Sequence, residues 1–209
     1  LYSRRLAITD AGRVVALPYR PGLWVGDSDG AIFGDEAWVD LAVRGELAAV
    51  LGVEDEAVLF DLGATPRELA RCPVADPAAL ALTPDGARFV VAAVDGVSLI
   101  ETADCALAAW LGGRPDGIVP RFTDVQVSDD GAFIAAGSRE GDVLVWDRDG
   151  RLRGAVVVHA QRVAQLAFDP AARMLASAGW DGVVAFIDLA TLGRDDGANV
   201  ARVRAALGE

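Results

Sequence analysis

Apolar residues in this chain come in short runs separated by Asp-Gly, Asp-Pro or Gly-containing breaks, and the same order of runs and breaks returns several times. In the clearest unit, His159 to Leu189, a first run holds Val163, Leu166 and Phe168, and Asp169-Pro170 opens a turn. A second run spans Met174 to Ala178, Asp181-Gly182 turns again, and a third run, Val183 to Ile187, ends on Asp188. Runs this short, bounded by residues that accept tight-turn backbone angles, predict β-strands joined as hairpins. Three strands and two turns make most of a four-stranded antiparallel sheet, and the stretch 190–205 is the expected fourth strand.

The unit before it, FTDVQVSDDGAFIAAGSREGDVLVWD, has the same layout without gaps, with Val127 in the place of Phe168 and Trp146-Asp147 in the place of Ile187-Asp188. Upstream, Leu82 and Val43 take the Phe168 place, while Ile100-Glu101 and Phe60-Asp61 take the Trp-Asp place. The Phe168-type positions are thus 39, 45 and 41 residues apart. Residues 1–35 hold a degenerate fifth unit, and the expected boundaries are 1–35, 36–75, 76–117, 118–158 and 159–209. The Pro- and Gly-rich stretch from Leu111 to Phe122 reads as an insertion. Residues 199–207 fit a short helix or a last strand equally well.

Through LASAGWDGVVAFIDL and FIAAGSREGDVLVWD in particular, the sequence resembles the WD40 repeat family. The resemblance implies an all-β fold, a β-propeller of four-stranded antiparallel blades, with about five blades here or part of a larger propeller. In that family a His, a Ser or Thr, an Asp and a Trp form a hydrogen-bonded network in each blade. His159, Ser177 and Asp181 match its first three members, and Ile187 stands where the Trp belongs. The preceding unit keeps Trp146 but has Ile118 and Glu140 in the His and Asp places. The resemblance further implies that the loop before the first strand and the turn between the second and third strands open on one face, a frequent partner site. Val53, Val94, Arg139 and Trp180 map to that turn, and Gln161 and Arg162 to the loop before the last unit. Arg and Trp are enriched at interaction hot spots.

Composition narrows the function. The net charge is -12 and all 19 basic residues are Arg, which argues against nucleic acid or an anionic membrane as partner. Without Lys there is no P-loop lysine and no Schiff base. No apolar run approaches the roughly 18 residues of a membrane span. Leu1 begins no secretory signal and the chain stops at Glu209 without a polar tail, as expected of a stretch from a longer polypeptide. Abundant Ala, Gly, Arg, Val and Asp suggest a high-GC bacterial source.

Cys72 and Cys105, 33 residues apart, form no C-x-x-C pair, and the expectation is two free buried thiols in a reducing, cytoplasmic setting. Trp38, Trp110 and Trp146 are expected between blades. The Asp-rich turns at 27–30, 129–131, 147–150 and 195–197 lack the ligand spacing of a calcium loop. His159 is the only His, its place in the repeat explains it, and no nucleophile or nucleotide motif accompanies it. The expectation is a non-catalytic module, without cofactor or metal, that binds a protein partner or other domains of a larger protein, or senses a ligand there. The alternative is a propeller hydrolase or lactonase with a carboxylate-bound metal in its central channel.

Overall fold

The computed structural model describes residues 3–19, 21–26, 30–63, 66–112 and 117–192. Among them nineteen strands form five antiparallel sheets, each made of strands consecutive in the chain. Blade 1 contains β1 (Ser3–Ile8), β2 (Val14–Pro18), β3 (Leu23–Gly26) and β4 (Ala31–Phe33). Blade 2 contains β5 (Trp38–Arg44), β6 (Leu47–Gly52), β7 (Glu56–Asp61) and β8 (Arg67–Pro73). Blade 3 contains β9 (Pro77–Leu82), β10 (Arg88–Ala93), β11 (Val97–Glu101) and β12 (Leu107–Leu111). Blade 4 contains β13 (Phe122–Val127), β14 (Phe133–Ser138), β15 (Asp142–Asp147) and β16 (Leu152–Val157). Blade 5 contains β17 (Val163–Phe168), β18 (Met174–Gly179) and β19 (Val184–Asp188), followed by a short 3-10 turn at Leu189–Thr191. The first strands pack in series, β1 on β5, β5 on β9, β9 on β13 and β13 on β17, as in a propeller.

Strand pairing reproduces the register read from the repeats. Leu82, Val127 and Phe168 each make the pair nearest the first hairpin turn, with Phe89, Ile134 and Leu175, and Val43 pairs with Ala48 one step further from the turn than Arg44 with Leu47. Ala48, Phe89, Ile134 and Leu175 pair in turn with Phe60, Ile100, Trp146 and Ile187. The turns follow from their side chains. Ser128 Oγ accepts from Phe133 N at 3.0 Å, Asp130 accepts from Ala132 N at 2.9 Å, and Gly131 takes φ +66°. Thr83, Asp85 and Gly86 repeat the device in blade 3. In blade 5 Ala172 stands at the glycine place with φ +48°, a region that costs a non-glycine residue on the order of 1 kcal/mol. Among the Asp-rich turns, Asp147 accepts from Asp149 N and Arg151 N, as an ordinary turn residue does; 27–29 and 195–197 lie outside the described residues.

The apolar positions collect into four cores, one at each seam between neighbouring blades. Trp38 and Trp146 fill seams, each edge-on to an aromatic neighbour, Phe60 and Phe122 respectively. Trp110 departs from the expectation: it is 50% exposed, because it sits on the outermost strand of blade 3 and lies against Gly96 and Gly112 instead of a neighbouring blade.

The expected free thiols are also corrected. Cys72, on outer strand β8, and Cys105, in the turn between β11 and β12, form a disulfide with Cα atoms 5.3 Å apart. It joins blade 2 to blade 3. Spacing alone could not show this, since the two positions meet only when neighbouring blades stack. The thiol ground for a reducing compartment is thereby removed. The expected fourth strand of blade 5 and the 199–207 segment fall largely or wholly outside the described residues, which end at 192.

Candidate interaction face

The turn between the second and third strands and the segment before the first strand meet at one end in blades 2, 4 and 5. Backbone hydrogen bonds fix this: Val53 N donates to Ala37 O at 3.2 Å, Arg139 N to Arg121 O at 2.8 Å and Trp180 N to Arg162 O at 3.0 Å. Val53, Arg139 and Trp180 therefore occupy equivalent places, and Val94 occupies the corresponding turn of blade 3. At this end Val53, Val94 and Trp180 are 60%, 51% and 66% exposed.

Blades 4 and 5 give the face its chemistry. The Arg162 guanidinium lies 5.2 Å from the Trp180 ring centroid, a cation–π contact. Arg162 Nε is buried and makes no hydrogen bond. Arg139 is exposed and forms no ion pair among the described residues, and Gln161 is exposed beside Arg162. Arg121, by contrast, is held by Glu140 at 2.9 Å. An aromatic plate backed by one guanidinium, with an exposed second one at the neighbouring turn, is a surface able to bind an apolar group and a carboxylate together.

Beneath this face lies the blade 5 network. His159 Nε2 is 2.9 Å from Ser177 Oγ, and Nδ1 is 3.1 Å from Asp181 Oδ1. Asp181 also accepts from Ala160 N at 2.9 Å and Val183 N at 3.1 Å. Burial alone would raise its carboxyl, but those N–H groups and His159 hold it below the ordinary value. Ile187 is fully buried and supplies packing where a Trp would supply an N–H. In blade 4 a different group holds the turn: Ser138 Oγ accepts from Asp142 N at 2.9 Å and bonds Asp142 Oδ2 at 3.1 Å. Trp146 is buried against Phe122, so its contribution is packing.

The central channel holds groups that repeat reading passed over. The first strand of each blade carries an irregularity in register near its start, which places Arg5, Asp40, Ala79, Asp124 and Gln165 at equivalent positions. Asp40 and Asp124 are nearly fully buried. Asp40 accepts from Leu80 N at 2.9 Å and pairs with Arg5 at 2.7 Å; Asp124 accepts from Leu166 N at 2.6 Å. Each carboxylate thus clasps the blade that follows its own. Burial pushes Asp124 up to about 7, and the charge of Asp40 adds to the rise. Burial raises Asp40 as well, opposed by Arg5. Below them lies a polar cavity of about 360 Å³ lined by first strands from all five blades. No cluster of three or more His, Cys, Asp or Glu suited to a metal occurs among the described residues. The channel carboxylates are engaged by backbone N–H groups and Arg5.

Comparison with known proteins now adds to the geometry. The family model described as "WD domain, G-beta repeat" matches residues 113–147 and 150–188. The chain carries WD40 repeats in these two places. A stretch of 63 residues is 43% identical to the periodic tryptophan protein 2 homolog of Dictyostelium discoideum, covering 29% of this chain and 7% of that protein. The crystal structure of the Cps50 (Swd1) β-propeller domain of Myceliophteria thermophila superposes on 93% of this chain with a TM-score of 0.78 at 14% identity, and this chain covers 67% of that domain. At that identity the match concerns the fold. Both WD40 matches fall within blades 4 and 5 and their approach, where the repeat grammar is fullest.

Proposed function

We propose that this WD40 array is a non-catalytic protein-interaction module that presents the loop face of blades 4 and 5 to a partner polypeptide or to another domain of its parent protein. The observation that carries the reading is the exposed Trp180 stacked with Arg162, with the exposed Arg139 at the equivalent turn of the neighbouring blade. An exposed Trp that stacks on a guanidinium is the kind of anchor that dominates binding energy. WD40 propellers generally serve as scaffolds for protein partners, which fits; a sensing role would use the same face.

The test is to select binding peptides against the chain by display and to measure their affinity for Trp180→Ala and Arg139→Ala. Each change should weaken binding by roughly tenfold or more, as expected at a hot spot. The melting midpoint should move by no more than about 2 °C, because both side chains are exposed. Unchanged affinity in both variants would refute the assignment of this face.

A further inference from the structure

At the end of the strands opposite the Trp180 face, blades 3 and 4 share a cleft of about 440 Å³. Its floor is apolar, made by Leu99, Val127 and Ile134 of the seam core. Its rim includes the first hairpin turns of the two blades, which come together where the Pro84 ring lies beside Gly131. Each turn engages one carboxylate oxygen and leaves the other open. Asp85 Oδ1 accepts from Thr83 Oγ1 at 2.7 Å and Ala87 N at 3.0 Å, and Asp130 Oδ1 accepts from Ser128 Oγ at 2.7 Å and Ala132 N at 2.9 Å. Neither Oδ2 accepts from another residue among the described ones. Thr83 in one turn and the Ala132 N–H in the other hold these carboxyls below the ordinary range, so both are ionised at neutral pH.

Most cations nearby are already committed. Arg88 pairs with Glu101 at 2.8 Å, Arg151 with Asp149 at 3.2 Å and Arg44 of blade 2 with Asp129 at 2.6 Å. Asp85 and Asp130 are left against Arg148, which donates to the Asp130 carbonyl at 3.2 Å and pairs with no acid among the described residues. The rim therefore keeps an excess of negative charge. No other adjoining pair of described first turns offers two open carboxylates: Glu46 of blade 2 is bound by Arg13, and blade 5 has Pro170-Ala171-Ala172.

We propose that this cleft is a second docking site, taking an extended polypeptide segment in which an Arg or Lys stands next to a bulky aliphatic residue. The basic head group pairs with the open Oδ2 atoms of Asp85 and Asp130, and the aliphatic side chain covers Leu99, Val127 and Ile134. Charge complementarity selects this occupant: the rim is acidic in a chain of net charge -12, and an acidic segment would meet two fixed carboxylates. Because each Oδ1 is already held by its turn, the two carboxylates lose little rotational freedom on binding. The apolar floor distinguishes the cleft from a surface that only attracts cations, and its volume lies within the roughly 300–1,000 Å³ of ligand sites.

Peptide display tests the proposal with the loop face disabled. The bait is the full 209-residue chain carrying Trp180→Ala and Arg139→Ala, and the probe is a library of random linear peptides. Selected peptides should carry Arg or Lys beside Leu, Ile, Val or Met, and should bind the unaltered chain as tightly as the bait. Asp85→Asn with Asp130→Asn keeps the oxygens that hold the turns; it should weaken binding by about tenfold or more and move the melting midpoint by no more than about 3 °C. Replacing the peptide's basic residue by Gln, which leaves the protein untouched, should cost a similar factor, as should replacing its aliphatic residue by Ser. Four results would overturn the proposal: an empty selection; peptides without the basic and aliphatic pair; affinity unchanged by the paired Asn variant or by Gln in the peptide; or affinity that survives the Ser replacement, which means attraction of cations alone. Each of these leaves the assignment of the Trp180 face standing, because that face is absent from the bait.

Discussion

Asp124 shows how a single side chain couples the channel to stability. Its carboxyl is pushed to about 7 in the folded chain against an ordinary 3.8, chiefly by burial. The folded state therefore keeps a proton that the unfolded state releases, and stability falls as pH rises from about 4 to about 7, then levels. The loss should be on the order of 2–4 kcal/mol, measured by urea unfolding at successive pH values. Asp124→Asn keeps an oxygen for the Leu166 N–H and should flatten this slope, gaining stability above pH 7; an unchanged slope would refute the attribution. Neither channel carboxylate was found by repeat alignment, although a signal was there. Trp38-Val39-Asp40-Leu41 and Phe122-Thr123-Asp124-Val125 share an aromatic-x-Asp-aliphatic pattern at one offset in two units. The bulge beside each Asp breaks the period of two, so simple alternation does not assign these residues to the channel. His159, Ser177 and Asp181 were legible because the turn that unites them is local to one hairpin and its approach.

At the level of elements, strands and turns were legible wherever a repeat of about 40 residues placed the same residue types in the same order. What joins one blade to the next was not, because those contacts depend on stacking and not on neighbours in sequence. The disulfide between β8 and the β11–β12 turn is the clearest instance. It closes a loop with a sequence separation of 33 residues, for which the chain-entropy argument gives about 3–4 kcal/mol. Cys72→Ser with Cys105→Ser, or reduction by a small thiol, should lower unfolding stability by about 2–4 kcal/mol and leave peptide binding at Trp180 unchanged. The contact is remote from blades 4 and 5, so loss of binding on reduction would mean that the two halves of the array are coupled more tightly than their separate seam cores imply. Trp110 belongs to the same lesson: it lies on the outer strand against Gly96 and Gly112, while Leu111 beside it reaches the core shared with blade 4, and only the stacking of blades decides which of the two is covered.

Across the whole molecule, stability is distributed as in a linear array, in which each blade gains from its neighbours and the terminal blades gain from one side only. Blades 2, 3 and 4 each contribute to two seam cores, while among the described residues blades 1 and 5 each contribute to one. The disulfide reinforces the middle further, since it ties blade 2 to blade 3. Opening should therefore begin at the ends and move inward. Native-state hydrogen exchange should find the amides of β10 slowest, those of β6 and β14 next, and those of β2 and β18 fastest, although all five strands lie second in their sheets with a paired strand on either side. Local hydrogen bonding alone would give five similar rates, and that outcome would refute the array picture. The gradient also bears on binding. The face carrying Trp180 lies on one of the two least supported blades, so a partner that grips blades 4 and 5 together should slow exchange in β18 more than in β10, linking occupancy of the loop face to the order of the array's end.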